Sequence, residues 1–102
     1  MAAVTVIRWS PRAASDLEDI CEYIAQDSDY YARIFAQRVM KAVEAIPDFP
    51  RSGRMVPEYQ KENIREKIIQ NYRIVYRLHQ DAVEIVAIVH SARQLSGTLD
   101  VS

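Results

Sequence analysis

The spacing of apolar residues changes period once along this chain, and that change limits what it can fold into. Between Pro11 and Ile46 apolar side chains recur every three or four residues, whereas between Ile64 and Val89 they come in short, β-branched-rich runs. The first pattern is that of helices with one buried face, the second that of strands. A stretch holding Pro47, Pro50, Gly53 and Pro57 separates the two. Proline lacks an amide donor and glycine admits backbone angles that other residues avoid, so neither period continues through it. An α+β fold follows, with helices and strands segregated along the chain.

Before the first helix, Val4, Val6 and Trp9, with Thr5 and Ile7 between them, read as a strand that stops at Ser10-Pro11. A serine hydroxyl can cap free helical amides, and proline suits the first helical position because its missing N–H costs nothing there. Ala13, Leu17, Ile20 and Ile24 then form one stripe, with Asp16, Glu18, Asp19 and Glu22 off it. Asp27-Ser28-Asp29 ends that helix and caps a second, whose stripe runs through Tyr31, Phe35, Val39, Ala42 and Ile46 and stops before Pro47. Two helices joined by so short a turn pack as an antiparallel hairpin.

Three apolar runs follow the loop at 48–57: Ile64–Gln70, Tyr72–Leu78 and Ala82–Val89. Gln70-Asn71 and His79-Gln80-Asp81 are tight-turn candidates, so the runs should form an antiparallel meander. Tyr72, Ile74, Tyr76 and Leu78 share one side of the middle run and leave Arg73, Val75 and Arg77 on the other. Strict alternation in the last run puts Val83, Ile85, Ala87 and Val89 on one face, with Glu84, Val86, Ile88 and His90 opposite. Both faces are largely apolar, and two helices can cover only one. The second face is then a bare, arginine-edged docking surface made of Arg73, Val75, Arg77, Val86 and Ile88.

With 102 residues, 49% hydrophobic and 26% charged, the chain is long enough for one small domain and too apolar for disorder. Thirteen basic and fourteen acidic residues nearly cancel, which argues against a general nucleic-acid binder. The halves differ, however: residues 1–50 carry five basic and eight acidic side chains, residues 51–102 eight basic and six acidic. That asymmetry suits an acidic partner on the second half. One cysteine makes no disulfide framework, and with His79 and His90 the only histidines there is no spaced metal-ligand set. No signal peptide or membrane span is expected, since no basic segment leads an apolar run and none approaches ~20 residues. The expectation is a cytoplasmic protein without cofactor or metal.

At this point the chain resembles the RelE/ParE superfamily of toxins from type II toxin–antitoxin modules. The resemblance rests on Trp9-Ser10-Pro11 with Ala13, Asp16-Leu17 with Ile20, Tyr23-Ile24, Phe35, Pro50 with Gly53-Arg54, and Pro57-Glu58. It continues through Ile64-Arg65-Glu66, the Tyr72-to-Tyr76 run, and Val89-His90 with Arg93, covering roughly residues 4–95 and leaving 96–102 as a tail. It implies a β-α-α-β-β-β order, an antiparallel sheet with the helical hairpin on one face. It also implies an antitoxin whose C-terminal arm wraps the toxin, and operator DNA contacted only through that antitoxin.

The superfamily divides by target. RelE-like members cut ribosome-bound messenger RNA with strand lysines and arginines plus a late tyrosine or histidine. ParE-like members, the plasmid-stabilisation branch, inhibit DNA gyrase by binding. For cleavage the matching residues here would be Arg65, Lys67, Arg73, His90 and Arg93, with His90 the only late proton-transfer candidate because 94–102 contain no tyrosine. That missing tyrosine points to the ParE-like branch.

Hairpin parity separates the two site geometries. A two-residue turn at Gln70-Asn71 pairs Ile69 with Tyr72 and sets Glu66 and Ile68 on the Arg73 side; an odd loop would instead gather Arg65, Lys67 and Arg73 into one phosphate-binding cluster. Arg54, Glu58, Arg65 and Glu66 have a plainer reading, an ion-pair set tying the loop to the sheet. Trp9, Tyr23, Tyr72 and Tyr76 fall on stripes assigned to the core, and Cys21 lies beside one.

Overall fold

The computed structural model describes residues 6–95 and Leu99. Its elements are β1 (Val6–Trp9), α1 (Pro11–Ala25), α2 (Asp29–Ala45), β2 (Arg54–Met55), β3 (Ile64–Ile69), β4 (Tyr72–Leu78) and β5 (Ala82–His90). The expected order holds, while Val4 and Thr5 of the predicted first strand lie outside the described residues. Ser10 caps α1, its Oγ accepting the Ala13 amide at 2.9 Å, and Ser28 caps α2 by accepting from Tyr31 at 3.2 Å. Both helices pack on one side of a five-stranded sheet of order β1-β5-β4-β3-β2.

Two features of the sheet differ from the sequence expectation. It is mixed rather than wholly antiparallel, because β1 pairs in parallel with β5, Val6 opposite Ala82 and Trp9 opposite Ile85. The helical hairpin carries the chain to the far edge of the sheet, and the antiparallel run β3-β4-β5 brings β5 back beside β1 pointing the same way. The loop also hides a two-residue strand: β2 pairs Arg54 with Glu66 and Met55 with Arg65. No alternation is detectable in a strand that short.

The largest correction concerns faces. Val75 pairs with Ala87 but Tyr76 pairs with Ile85, so Val86 is an extra residue and the alternation of β5 inverts at a bulge. Val83 and Ile85 face the helices before it, and Ile88 does so after it, in a core with Phe35, Val39, Val43, Ile46, Ile74 and Tyr76. Ala87 and Val89, expected on that side, instead join Val75 and Val86 on the other. Ile88 therefore belongs to the helix-side core and not to a docking surface.

Nor is the second face bare. Val56, Tyr59, Leu95 and Leu99 lie over Ile64, Val75, Val86, Ala87 and Val89. Burying each valine or leucine is worth roughly 1.5–3 kcal/mol. Against a net stability of about 5–15 kcal/mol for a domain, this is ample reason for the loop before β3 and the segment after β5 to fold onto the sheet.

Candidate functional site

The sheet face under that cover carries a ladder of alternating charges. Arg73, on β4, is almost wholly buried, and each of its guanidinium nitrogens is engaged. Nε donates to Glu66 Oε1 at 2.5 Å; Nη1 and Nη2 donate to Glu58 at 2.8 and 2.7 Å, a two-pronged pairing; and Nη1 also reaches the Arg93 carbonyl at 3.1 Å. Glu66, fully buried, also accepts from Arg54 Nε, and Glu58 accepts the Leu95 amide at 3.3 Å. Tyr59 Oη donates to the Leu95 carbonyl at 2.8 Å. The ladder thus ties the loop, the edge strand and the segment after β5 to one arginine.

Its electrostatics follow from that pairing. The Arg73 hydrogen bonds hold the Glu58 carboxyl well below the usual carboxylate range, at about 2, against a smaller opposing effect of burial. The Arg73 guanidinium is in turn held more firmly protonated by Glu58, then Glu66. Charge-assisted, forked bonds of this kind fix geometry as well as charge. They leave Arg73 poorly placed to meet a phosphate.

The two-residue turn is the one formed: Ile69 pairs with Tyr72 and Ile68 with Arg73. Arg65 and Lys67 therefore stand across from Tyr76 and Ile74, on the sheet face opposite Arg73. Arg65 is spent on the loop, donating to the Gly53 carbonyl at 2.9 Å, the Glu62 carbonyl at 3.0 Å and the Glu62 carboxylate at 3.1 Å. His90 pairs across from Tyr72 on the helix side; its ring meets Tyr72 edge-on at 5.6 Å, and its Nδ1 accepts the Ala92 amide at 3.2 Å. The Arg93 backbone lies at Arg73 while its residue is exposed. The five cleavage candidates are thus divided between two faces of the sheet. No shared cationic pocket forms among them.

Of the five residues expected to make a docking surface, Arg73, Val75, Val86 and Ile88 are buried. Arg77 is half-buried and bonded to Glu84 at 3.0 and 3.2 Å. That carboxylate also meets His79 Nε2 at 2.9 Å, and His79 together with Arg77 holds Glu84 below its ordinary value. The ion-pair reading of Arg54, Glu58 and Glu66 is realised, with Arg73 as the hub that the sequence reading left out. Parity was the available signal, since a two-residue turn places Glu66 and Arg73 on one face. Among the described residues no group of three His, Cys, Asp or Glu side chains could hold a metal ion, and no helix is long and apolar enough to cross a membrane.

Residues 7–95 match the family described as ParE toxin of type II toxin–antitoxin system, parDE. The protein Y4kP of Sinorhizobium fredii is 37% identical over 91 residues, covering 86% of this chain and 90% of that protein. Toxin RelE2 of Caulobacter vibrioides is 33% identical over 85 residues, covering 83% and 93%. A chain of the chromosomal ParDE system from P. aeruginosa superposes with a TM-score of 0.71 over 87% of this chain and 98% of its own. Its sequence identity of 17% makes that a likeness of fold.

Proposed function

Because the chain belongs to the ParE toxin family of type II toxin–antitoxin systems, we propose that it acts in the cytoplasm by binding and inhibiting DNA gyrase, and that a cognate antitoxin neutralises it. The observation that carries this reading is the division of the cleavage candidates. Phosphoryl chemistry on RNA needs cations gathered where charge develops and a base within reach. Here Arg73 is consumed by Glu58 and Glu66, while Arg65, Lys67 and His90 lie beyond the sheet from it. A binding mode of action requires no such cluster. Operator DNA is contacted through the antitoxin, in keeping with a net charge of −1 on this chain.

The test is a pair of assays on one preparation, gyrase supercoiling and ribosome-dependent cleavage of messenger RNA. Inhibited supercoiling with intact messenger RNA is the expected result. Cleaved messenger RNA with unaffected supercoiling would overturn the proposal in favour of a RelE-like nuclease using Arg65, Lys67, Arg73, His90 and Arg93. Neither effect, with antitoxin still bound, would mark a member that keeps only its antitoxin contact.

A further inference from the structure

We propose that the outward face of α2 is a contact surface for a second copy of this chain, the two α2 helices lying antiparallel about a twofold axis. The inward face of α2 is committed to the core through Phe35, Val39 and Val43. On the outward side Arg33, Gln37, Met40 and Glu44 follow one another at intervals of four, three and four residues, the spacing of a coiled-coil seam. With Ala36 and Lys41 on the flanks, they line a shallow groove of about 410 Å³. Met40, a large apolar side chain in the middle of this face, is 39% exposed. Among the described residues Arg33, Lys41 and Glu44 enter no ion pair, whereas Arg12, Arg73 and Arg77 are all paired within the chain.

The order of these residues is self-complementary, which is what selects the occupant. Turned antiparallel about the midpoint between Gln37 and Met40, the seam sets Gln37 level with Met40 of the other copy and Arg33 level with its Glu44. Twofold symmetry makes each pair twice. A parallel arrangement would set Arg33 against Arg33 and Glu44 against Glu44, a like-charge juxtaposition that opposes binding. An unrelated helix needs no such mirrored order; a second copy does. Ala36 on one flank is small enough for the helices to approach to about 8–10 Å. On the other flank each Lys41 lies beside Gln37 of the other copy and one turn before its own Glu44, and the two Lys41 ammoniums share that side. Asp29 and Asp48 fall beyond the pairing at either end, where helices crossing at about 20° have diverged. The seam from Arg33 to Glu44 is about 17 Å long, too short to bury the ~800 Å² per partner of a standard interface, so the dimer is a weak one, dissociating on the order of 10–100 μM. The surface is independent of whether gyrase or the ribosome is the target.

Sedimentation velocity on the full chain, without partners, tests this. The sedimentation coefficient should rise from that of a monomer towards that of a dimer between about 1 μM and about 1 mM protein. Arg33→Glu and Glu44→Arg, each alone, place like charges opposite each other at both ends of the seam and should raise the dissociation constant about tenfold or more. Both residues are exposed, so circular dichroism of the variants should match the parent's. The double variant, Arg33→Glu with Glu44→Arg, should dimerise again. An equimolar mixture of the two single variants should form a heterodimer, because each copy then supplies the charges that the other lacks. A parent chain still monomeric at about 1 mM, single variants that associate as the parent does, or a mixture without rescue would each overturn the proposal.

Discussion

Asp16 of α1 reaches across to the sheet and accepts the Ile88 amide of β5 on Oδ2 at 3.0 Å. Two residues earlier in β5, the Val86 carbonyl accepts from Ser10 Oγ at 2.8 Å. The start of α1 therefore satisfies two backbone groups of β5 that lie past the end of its pairing with β1, which stops at Trp9 opposite Ile85. Arg12, one turn before Asp16, holds the carboxylate with Nε at 3.1 and 3.2 Å. The helix start thus holds the stretch of β5 around the bulge, where Ile88 turns inward and Val89 outward.

Replacing Asp16 by Ala should leave the Ile88 amide without a partner, at a cost of about 1–3 kcal/mol. Asp16→Asn keeps an acceptor oxygen and should lose less. Urea unfolding with an unchanged slope would register the difference as a shift in midpoint. A midpoint unmoved in Asp16→Ala would mean the bulge stands without the helix.

Much of the fold was legible because its signals are local. Ser10-Pro11 and Ser28 start helices where expected, Pro47 marks the end of the second, and Gln70-Asn71 forms the turn that its flanking residues suggest. The bulge was not legible: it is a shift in the pairing of β5 with β4, beside contacts that Ser10 and Asp16 make with β5 from more than 70 residues away. That one extra residue reassigned Ile88, Ala87 and Val89, and with them the imagined docking face. The cover over that face was hidden for a similar reason. Val56 and Leu95 look like loop residues until Glu58 and Arg73 bring their segments together.

Arg73 should prove structural before it proves functional. Arg73→Ala leaves Glu58 and Glu66 facing each other without their shared cation, and removing one partner of such a buried pairing costs about 3–5 kcal/mol. Arg73→Lys restores a charge but not the fork and should fall between. Growth inhibition by these variants should decline in step with the folded fraction measured by circular dichroism. A folded Arg73→Ala protein with its inhibition abolished would instead place the guanidinium at the target.

Gly53 marks the place where the loop meets the core. A Cβ there would come within 2.5 Å of Tyr76 Oη and 2.6 Å of the Glu66 carbonyl oxygen. Neither can retreat cheaply, for Tyr76 Oη donates to the Pro50 carbonyl at 2.8 Å and accepts the Gly53 amide, and Glu66 lies in the sheet. Gly53→Ala should destabilise by about 1–3 kcal/mol through overpacking. Thermal unfolding would detect it, and an unshifted transition would mean that the loop moves freely from the sheet.

Gln70 adopts φ 54° in the β3–β4 turn, a conformation that glycine enters without steric penalty. Gln70→Gly should therefore gain stability, by up to about 1 kcal/mol, because relief of the left-handed strain exceeds the added freedom of the unfolded chain. A lowered urea midpoint would show that the glutamine side chain contributes more to the turn than its backbone angle costs.

Acid should loosen the cover over the sheet. The Glu58 carboxyl, ordinarily near 4.5, is held at about 2 in the folded protein by Arg73. A carboxylate lowered on folding stabilises fully above its unfolded value, and that contribution is lost as pH falls through the folded value. The window is therefore from about pH 4.5 down to about 2, and Glu84, also lowered, acts in the same direction. Stability followed by urea midpoint should fall across that range as the unfolded chain takes up protons that the native state refuses. Glu58→Gln should start less stable at neutral pH and show a shallower decline. The Leu95 amide, which bonds Glu58, should gain exchange with solvent over the same interval. A Glu58→Gln profile parallel to the parent's would show that other carboxylates govern the acid limb and that the ladder is not the latch.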